Sequence, residues 1–508
     1  MIPLGAMQGP DIDYQGLSPL IATVGGSCVV LLAGLFRGGF VQRVLVPGLA
    51  LLALGAAIGL SAWNWEPGES TTIIEGALAV DTLALGISVL FYTAGILTVL
   101  LSLRSGAVAE AGGGEYYSLL LGSIAGMAIL AAAENLVALF IGFELLSIPL
   151  YVLCATLVRR RHSLEAGLKY LIIGSVGSAT LLYGLALVYG ATGSTDFDGI
   201  AAAIDAEVSA TDPLLLTGLA LTLAGLAFKS SVAPFHQWTP DVYQGAPTPV
   251  TAFMAVTTKA AAFAVLVRLL VEAFPALEDQ WAPALTALAV TTIVIGNAGA
   301  IVQSSMKRLL AWSGVAQAGY ILAGILVGTR LGLQAMAFYL AVYLVMNVAA
   351  FAVVIARERG SEHGDDIRAL EGLGRASPWL AWPMTIAMLS LAGFPATAGF
   401  IGKLYLIDAA VSDGYEGMGV MIVVGSMISL VYYLRVVAVM WMPPVEIELP
   451  DVPRRRVKPV AGWSPEADAR AQPEVAAVAL LCAAATIFLG IVPSPLFDLA
   501  RDVGTALF

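Results

Sequence analysis

Lysine is the residue whose placement in this sequence points most directly to chemistry. The chain has 508 residues and six lysines, and four of them lie within long apolar runs: Lys169, Lys229, Lys259 and Lys403. A charge at the bilayer centre costs about 2.5–3.5 kcal/mol, so such a lysine needs a function, a partner or a route to the interface. Lys169 closely follows a basic loop and could reach the interface. We interpret the other three as functional.

A single acidic residue could balance these lysines within the membrane. Glu144, in LVALFIGFELLSIPLYVL, is the only acid in the middle of an apolar run, whereas Asp81 and Glu134 lie at the starts of runs and could be interfacial. A carboxyl group in lipid stays protonated unless a cation lies near it, and one glutamate with several lysines can pass protons on as coupled titrations. We therefore predict that Glu144 and the deep lysines form a proton relay.

Three further polar residues have weaker claims to a role in this relay. His236, in PFHQWTPDVYQGAPTP, could carry a proton to bulk water, although helix capping or loop packing is the better interpretation of that histidine alone. Arg268 and Arg435 lie near the ends of apolar runs or beside aromatic residues. For both arginines, structural pairing is the alternative to a role in proton transfer.

The composition places these residues in a membrane protein. Hydrophobic residues make up 59% of the chain, charged residues make up 12%, and the mean hydropathy is +0.87. Soluble domains carry roughly 25% charged residues, so a polytopic membrane protein is predicted. The net charge of −11 has the wrong sign for binding nucleic acid. The three cysteines show neither metal-ligand spacing nor a disulfide pattern, and the polar, acidic N-terminus does not read as a cleavable signal peptide.

The apolar runs predict an all-α polytopic protein with about fourteen transmembrane spans. A span needs about 20 apolar residues. The runs lie near 18–36, 43–63, 79–103, 116–133, 136–157, 167–190, 213–236, 248–273, 283–304, 308–329, 334–356, 378–411, 416–441 and 473–495.

The distribution of basic residues predicts the orientation of these spans. Most of the 25 lysines and arginines fall in loops after odd-numbered spans, whereas only Arg330 and Arg501 fall in loops on the other side. By the positive-inside rule the odd-numbered loops are cytoplasmic, and both termini face outward. The loops predicted to be outside are rich in aspartate and glutamate.

Two of the spans are predicted to be broken. The run at 378–411 is too long for one straight span, and glycine and Pro395 predict a break between Leu391 and Gly399. In span 7 we predict a break between Leu223 and Ser230, loosened at Gly225, with free carbonyls beside the lysine. A shift of five spans relates span 7 to span 12, and because five is odd, two such units would be inverted in the membrane.

Several stretches of the sequence resemble one family. KSSVAPFHQWTPDVYQGAPTPVTAF, followed by TTKAAAF, is similar to the signature of antiporter-like membrane subunit N of bacterial NADH–quinone oxidoreductase (respiratory complex I), and to subunit 2 of chloroplasts and mitochondria. The sister subunits M and L share the fold but differ in this stretch. Further matches run in order from span 5 to span 13: IGFELLSIPLYVL, EAGLKYLIIGSVGSATLLYGLALVYGATGS, KRLLAWSGVAQAGYILAG, YLVMNVAAFAVV, GFPATAGFIGKLYL and YYLRVVAVMW.

The resemblance implies an architecture and a setting. It implies a single membrane domain with helices 1–3 (1–112), a five-helix repeat of helices 4–8 (113–275), an inverted repeat of helices 9–13 (280–445), and a cytoplasmic loop with helix 14 (446–508). Each repeat would hold a proton half-channel, driven by quinone reduction in other subunits. Flavin, iron–sulfur clusters and quinone are expected in partner subunits and no cofactor in this chain. Expected neighbours are the antiporter-like subunit M and the small subunits K and J, in a bacterial inner membrane.

The roles of the site residues follow from the same resemblance. It implies that Glu144 is the key glutamate of span 5 and that Lys229 is its partner in broken span 7. Spans 6, 8 and 12 contribute the remaining lysines: Lys169, Lys259 and Lys403. One departure is Gln317, because many relatives carry histidine there and glutamine cannot titrate.

Two alternative functions remain open. The chain has no flavin motif, no dinucleotide-binding GxGxxG after a strand and no cysteine cluster, so it cannot do redox chemistry alone. A cation/proton antiporter subunit of the same fold would show cation-dependent proton flux without NADH. A structural scaffold subunit with silent channels would leave pumping normal after the lysines are neutralised.

Overall fold

Helices dominate the computed structural model, which describes residues 12–36, 38–206, 208–360, 363–442 and 472–508. In these ranges eleven helices are long and apolar enough to cross a membrane, and three shorter apolar helices accompany them: Ser18–Gly34, Pro213–Lys229 and Pro378–Ala392. The prediction of a helical polytopic membrane protein is confirmed, and each of the fourteen predicted runs overlaps one of these helices. The predicted cytoplasmic loop after 446 lies, as far as residue 471, outside the described residues.

The N-terminal part combines three apolar helices with a small hairpin. The helices are α1 (Ser18–Gly34), α2 (Val46–Trp63) and α3 (Thr82–Ser102), followed by the short α4 (Gly106–Ala111). The antiparallel strands β1 (Thr71–Ile73) and β2 (Leu78–Val80) connect α2 to α3 and depart from the all-α prediction. Asp81 caps α3, because its carboxylate accepts a hydrogen bond of 2.7 Å from the Ala84 amide.

The next helices form the first bundle. They are α5 (Gly113–Ala131), α6 (Leu136–Cys154), α7 (Arg161–Thr192), α8 (Phe197–Ala206), α9 (Pro213–Lys229), α10 (Trp238–Gly245) and α11 (Thr248–Arg268). A π-helical turn at Leu269–Ala273 ends α11. In this bundle α5 packs along α6, and α7 packs along α9.

The second bundle follows after a short 3₁₀ turn at Pro275–Leu277. Its helices are α12 (Glu278–Ile301), α13 (Met306–Leu326), α14 (Arg330–Gly360), α15 (Leu373–Ala376), α16 (Pro378–Ala392), α17 (Ala398–Ser412) and α18 (Glu416–Trp441), with a 3₁₀ turn at Ile367–Leu370. The chain closes with α19 (Pro473–Ile491) and α20 (Ser494–Val503). The helix α19 packs against α14, α16 and α17.

The buried core runs through three helices. In the most apolar stretch of each helix, the share of residues that is buried is 100% in α11 with its π turn, 94% in α13 and 89% in α14, but only 33% in α18. A helix that is surrounded on every side offers a charged side chain no path to lipid or to the interface. Any ionisable group on α11 must therefore find its partners inside the protein.

Candidate functional site

Lys229 is the last residue of α9 and is fully buried. Its ammonium group donates to the Ser147 hydroxyl at 2.7 Å and to the Tyr170 hydroxyl at 3.1 Å. The rings of Phe143, Tyr151 and Tyr170 have their centroids 5.2–5.9 Å from the ammonium nitrogen. Hydroxyl oxygens and aromatic faces, contributed by α6 and α7, therefore surround this cation.

Glu144 lies one helical turn before Ser147 on α6 and is half-buried. One of its carboxylate oxygens accepts a hydrogen bond from the Ser178 hydroxyl of α7. No ion pair within 4.0 Å joins Glu144 to Lys229 among the described side chains, and the coupling of the two groups stays a prediction. The hydroxyls of Ser147 and Tyr170 contact the ammonium group in place of the carboxylate.

The break in span 7 falls later than predicted. The helix α9 continues through Leu223 to Lys229, and the chain turns only at Ser231, where φ is +62°. Gly225 does not loosen the helix, because a Cβ atom there would lie 2.6 Å from the Cβ of Leu181. This glycine permits close packing of α9 on α7, and the hinge prediction mistook a packing glycine for a flexible one.

The irregular segment 230–237 is anchored at several points. The Trp238 indole donates to the carbonyl of Phe228 at 3.0 Å, so a tryptophan satisfies a carbonyl at the end of α9. The amide of Ala233 donates to the Thr292 hydroxyl of α12 at 3.0 Å. His236 is buried in this segment, with its ring centroid 5.1 Å from that of Trp312 on α13. The break of the first bundle thus packs against helices of the second.

Lys259 lies near the centre of α11 and is fully buried. Its ammonium group donates to the Tyr243 hydroxyl of α10 at 3.2 Å. It also lies against Gly314 of α13, where a Cβ atom would be 3.4 Å from the ammonium nitrogen and 2.9 Å from the Tyr343 hydroxyl. A side chain at 314 would crowd both groups, so the glycine keeps space between the two bundles for this lysine.

Lys403 holds the break in span 12 together. The break lies where predicted, because α16 ends at Ala392, Gly393 has φ +83°, and α17 begins at Ala398. The ammonium group donates to the Leu391 carbonyl at 2.9 Å and to the Ala392 carbonyl at 3.3 Å. The carbonyls freed at the end of α16 are therefore partners of the lysine, as predicted for a charge at a broken helix.

A chain of polar side chains runs from Lys403 toward Lys259. The Gln317 amide donates to the Leu391 carbonyl at 3.2 Å and to the Tyr433 hydroxyl at 3.3 Å. Tyr433 in turn lies 2.5 Å from the Ser313 hydroxyl, and Ser313 precedes Gly314, against which Lys259 lies. Tyr339 donates to the Gln317 side-chain oxygen.

Sequence reasoning missed most of this polar chain. Its members were available as tyrosines and serines in the middle of apolar runs, but those residues carry no formal charge to single them out. Gln317 was noticed, but its contacts were not: its amide reaches a carbonyl freed by the break in span 12.

Lys169 and Arg435, two further candidates for the relay, contact groups other than those that hold the three buried lysines. The Lys169 side chain is 41% exposed and pairs with Glu165 at 2.8 Å and Asp241 at 3.0 Å. Arg435 donates to the Ile301 carbonyl at 3.0 Å and to the Gln303 carbonyl, and its side chain thereby caps the end of α12. Lys169 thus belongs to an ion-pair network at the surface and Arg435 to the end of a neighbouring helix, and their assignment as secondary relay residues stays a prediction.

The surface network around Lys169 has a defined electrostatic state. Burial tends to raise the pKa of Asp241, but hydrogen bonds from Arg308 and Lys169 outweigh it and hold that pKa below its ordinary value. The Asp241 carboxylate is therefore charged at neutral pH and ties α10 to α7 and α13. In the described part of the chain no group of three or more His, Cys, Asp or Glu residues is arranged to hold a metal ion.

Comparison with known proteins relates this geometry to a family. A family model described as NADH:quinone oxidoreductase/Mrp antiporter, TM, matches residues 133–429. NADH-quinone oxidoreductase subunit N of Chloroflexus aggregans is 38% identical over 500 residues, covering 97% of each chain. NAD(P)H-quinone oxidoreductase subunit 2 of Synechococcus elongatus is 40% identical over 460 residues, covering 90% of this chain and 85% of the relative.

A solved structure agrees with these relatives. A chain of respiratory complex I from Thermus thermophilus with bound aureothin superposes with a TM-score of 0.75 and 34% sequence identity. The superposition covers 94% of this chain and 99% of the other. The chain therefore belongs to the NADH-quinone oxidoreductase subunit N family, a family of antiporter-like membrane subunits.

Proposed function

We propose that this chain is a proton-translocating membrane subunit of an NADH-quinone oxidoreductase, with Glu144, Lys229, Lys259 and Lys403 as its relay. The observation that carries the proposal is the way the three lysines are held. Each is buried, and its partners in the described structure are hydroxyls or backbone carbonyls, with no carboxylate in contact. A lysine held by neutral groups can lose its proton without leaving an unpaired buried carboxylate.

The two bundles support an inverted repeat of five spans each, within a total of fourteen. In the first, α5, α6, α7, α9 with α10, and α11 correspond to spans 4–8. In the second, α12, α13, α14, α16 with α17, and α18 correspond to spans 9–13. Each unit has one interrupted helix with a buried lysine beside the interruption, and the first two helices of each unit pack along one another.

A lateral route between the bundles passes through the polar chain at Gln317. Because an amide cannot take up a proton, we assign proton transfer there to the hydroxyls of Tyr433 and Ser313. The remaining gap lies between Ser313 and Lys259, beside Gly314. Ordered water in an experimental structure of the assembled complex would show how that gap is closed.

The energy for this transport comes from partner subunits in the proposal. Flavin, iron–sulfur clusters and quinone belong to those subunits, and this chain contributes no cofactor. Its neighbours are the antiporter-like subunit M and the small subunits K and J. The complex lies in a bacterial inner membrane, with both termini of this chain on the outer side.

Replacement of Lys259 by methionine tests the relay. Lys259→Met keeps the length of the side chain and removes the charge, so the complex should assemble. Quinone-linked turnover and pumping should fall at least about tenfold, a modest share of the ~10²–10⁴-fold that positioned proton transfer contributes. Lys169→Met is the matched control, because that lysine lies at the surface. The complex with this variant should keep an activity near that of the unmodified complex.

The same variants separate the alternatives. Unchanged turnover and pumping in Lys259→Met would refute the relay and favour a scaffold role. Cation-dependent proton flux in vesicles that lack NADH would favour a cation/proton antiporter subunit.

A further inference from the structure

Four charged side chains meet where the first bundle joins the N-terminal helices. Arg268, the last residue of α11, is fully buried and donates to Asp81 at 2.5 Å, to Glu134 at 2.5 Å and to Glu272 at 3.1 Å. The carboxyl groups come from the start of α3, the turn between α5 and α6, and the π turn after α11. The charge asymmetry of the loops predicts that all three positions face the outside.

The cluster divides into a sealed pair and an open pair. The Asp81 side chain is 1% exposed, and it forms with Arg268 a dry ion pair of the structural kind expected for this arginine. Glu134 and Glu272 are 16% and 21% exposed, so water can reach them. One guanidinium cannot neutralise three carboxylates, and the excess negative charge falls on the open pair.

The crowding of the two glutamates around one cation favours the binding of a proton. Glu134 at 2.5 Å and Glu272 at 3.1 Å both accept from the same nitrogen of Arg268, Nη1, so the two carboxyl groups lie close together. Full ionisation of all three acids would leave more negative than positive charge in a largely buried cluster, and one bound proton reduces that excess. Like charges at this distance also oppose double ionisation.

Two atoms of the cluster point to exchange with a water-sized ligand. In the described structure, the Nε atom of Arg268 and one oxygen of Glu272 are buried and have no protein partner. A buried N–H donor and a buried carboxyl oxygen both need hydrogen-bond partners. A water molecule can accept from the Nε–H group and donate to the carboxyl oxygen, and water can carry a proton to or from a carboxyl group. The guanidinium at the centre of the cluster leaves no position for a metal ion.

The surrounding charges favour retention of the proton. Burial raises the pKa of Glu134 above its ordinary value, and Arg268 opposes this effect. Asp81 at the start of α3 and Asp198 on α8 add to the effect of burial, because each places a negative charge near the pair. The groups that face the pair are thus one cation and two anions.

We propose that Glu134 and Glu272 form a proton-holding carboxyl pair that exchanges one proton with the outer aqueous phase. On release, the O–H bond of the protonated carboxyl group breaks, the proton passes to water, and two carboxylates remain bridged by Arg268. Lys259 lies nine residues before Arg268 on α11, about 14 Å along the helix axis. A role of the pair as the outer station of the lysine relay rests on the proposed function; the protonation site itself does not.

Infrared spectroscopy of the purified complex tests the site. The carbonyl stretch of one protonated carboxyl group should disappear as the pH is raised, and it should be missing in both Glu134→Gln and Glu272→Gln. Glu278→Gln, which alters an exposed carboxylate six residues further on, should keep the band. Lys259→Met should also keep it, so failure of the relay and failure of this site are distinguishable.

Carbodiimide labelling of the unmodified complex provides a test that does not depend on folding of the variants. The reagent attaches to protonated carboxyl groups, so mass spectrometry should find it on Glu134 or Glu272 and not on Asp81, with less labelling at higher pH. A band that persists in either glutamine variant would overturn the proposal. So would labelling of Asp81 in place of the two glutamates.

Discussion

The two broken helices solve the same problem in different ways. At the first break Trp238 satisfies a carbonyl at the end of α9, and Lys229 turns to hydroxyls on α6 and α7. At the second break Lys403 itself donates to the last carbonyls of α16. Lys229 is held by side chains of neighbouring helices, whereas Lys403 bonds directly to backbone carbonyls at its break. A buried lysine at a helix break can therefore carry a charge without capping the broken helix, or it can do both.

The comparison predicts its largest effect for the removal of each lysine. Lys403→Met should destabilise the local structure at the break between α16 and α17 by about 1–3 kcal/mol, because the Ala392 carbonyl loses its lysine partner. Lys229→Met should cost less, because the Ser147 and Tyr170 hydroxyls can rotate to other partners. Labelling of the buried thiol of Cys482, on α19 beside α16, should become about tenfold faster in Lys403→Met.

The control for this experiment is the other buried thiol. Cys154, at the end of α6, should label at an unchanged rate in Lys403→Met, and the exposed Cys28 is first replaced by serine to remove background. Equal effects of the two lysine substitutions on Cys482 would show that Lys403 is not a cap.

Removal of the tryptophan cap should give a smaller effect at the other break. Trp238→Phe keeps a ring to stack on Tyr170, whose centroid lies 4.7 Å away, but loses the hydrogen bond to the Phe228 carbonyl. The expected cost is about 1 kcal/mol. Faster labelling of Cys154 with Cys482 unchanged would support the distinction between the breaks, whereas faster labelling of Cys482 alone would contradict it.

Coupling between Glu144 and Lys229 should be the smallest of these effects. The two groups do not touch in the structure, so their interaction is through space. In a double-mutant cycle on turnover, Glu144→Gln with Lys229→Gln should cost less than the sum of the single changes by roughly 0.5 kcal/mol, the low end of the range for coupled sites. Strict additivity would show no electrostatic coupling, and a term above about 2 kcal/mol would indicate direct contact in the working complex.

The two break predictions show what local sequence can and cannot reveal. Gly393 and Pro395 interrupt span 12 because one adopts a positive φ and the other lacks a backbone donor, and both properties belong to the residue itself. Gly225 is also a glycine, but it lies in a continuous helix, where the absence of a side chain lets Leu181 approach. Whether a glycine bends or packs depends on its neighbours in space.

Pairing between helices was equally hidden from the sequence. The family resemblance makes Lys229 the partner of Glu144, yet the helix register puts Ser147 and Tyr170 against the ammonium group. For Arg268 structural pairing is one of two interpretations of the sequence, but the carboxyl groups around it could not be foreseen. Apart from the pair of Arg268 and Glu272, these contacts join residues 59 to 187 positions apart.

The sequence by itself determined that this protein is a helical membrane protein, where its apolar helices lie, and which three lysines are buried at depth. These properties follow from apolar length and from the cost of placing charge in hydrocarbon, and both can be read along the chain. Only the tertiary structure decided which groups hold each lysine, where span 7 breaks, and that three carboxyl groups share one arginine. Hydrogen bonds and shared protons depend on distances of a few ångströms between separate helices, and packing alone sets those distances.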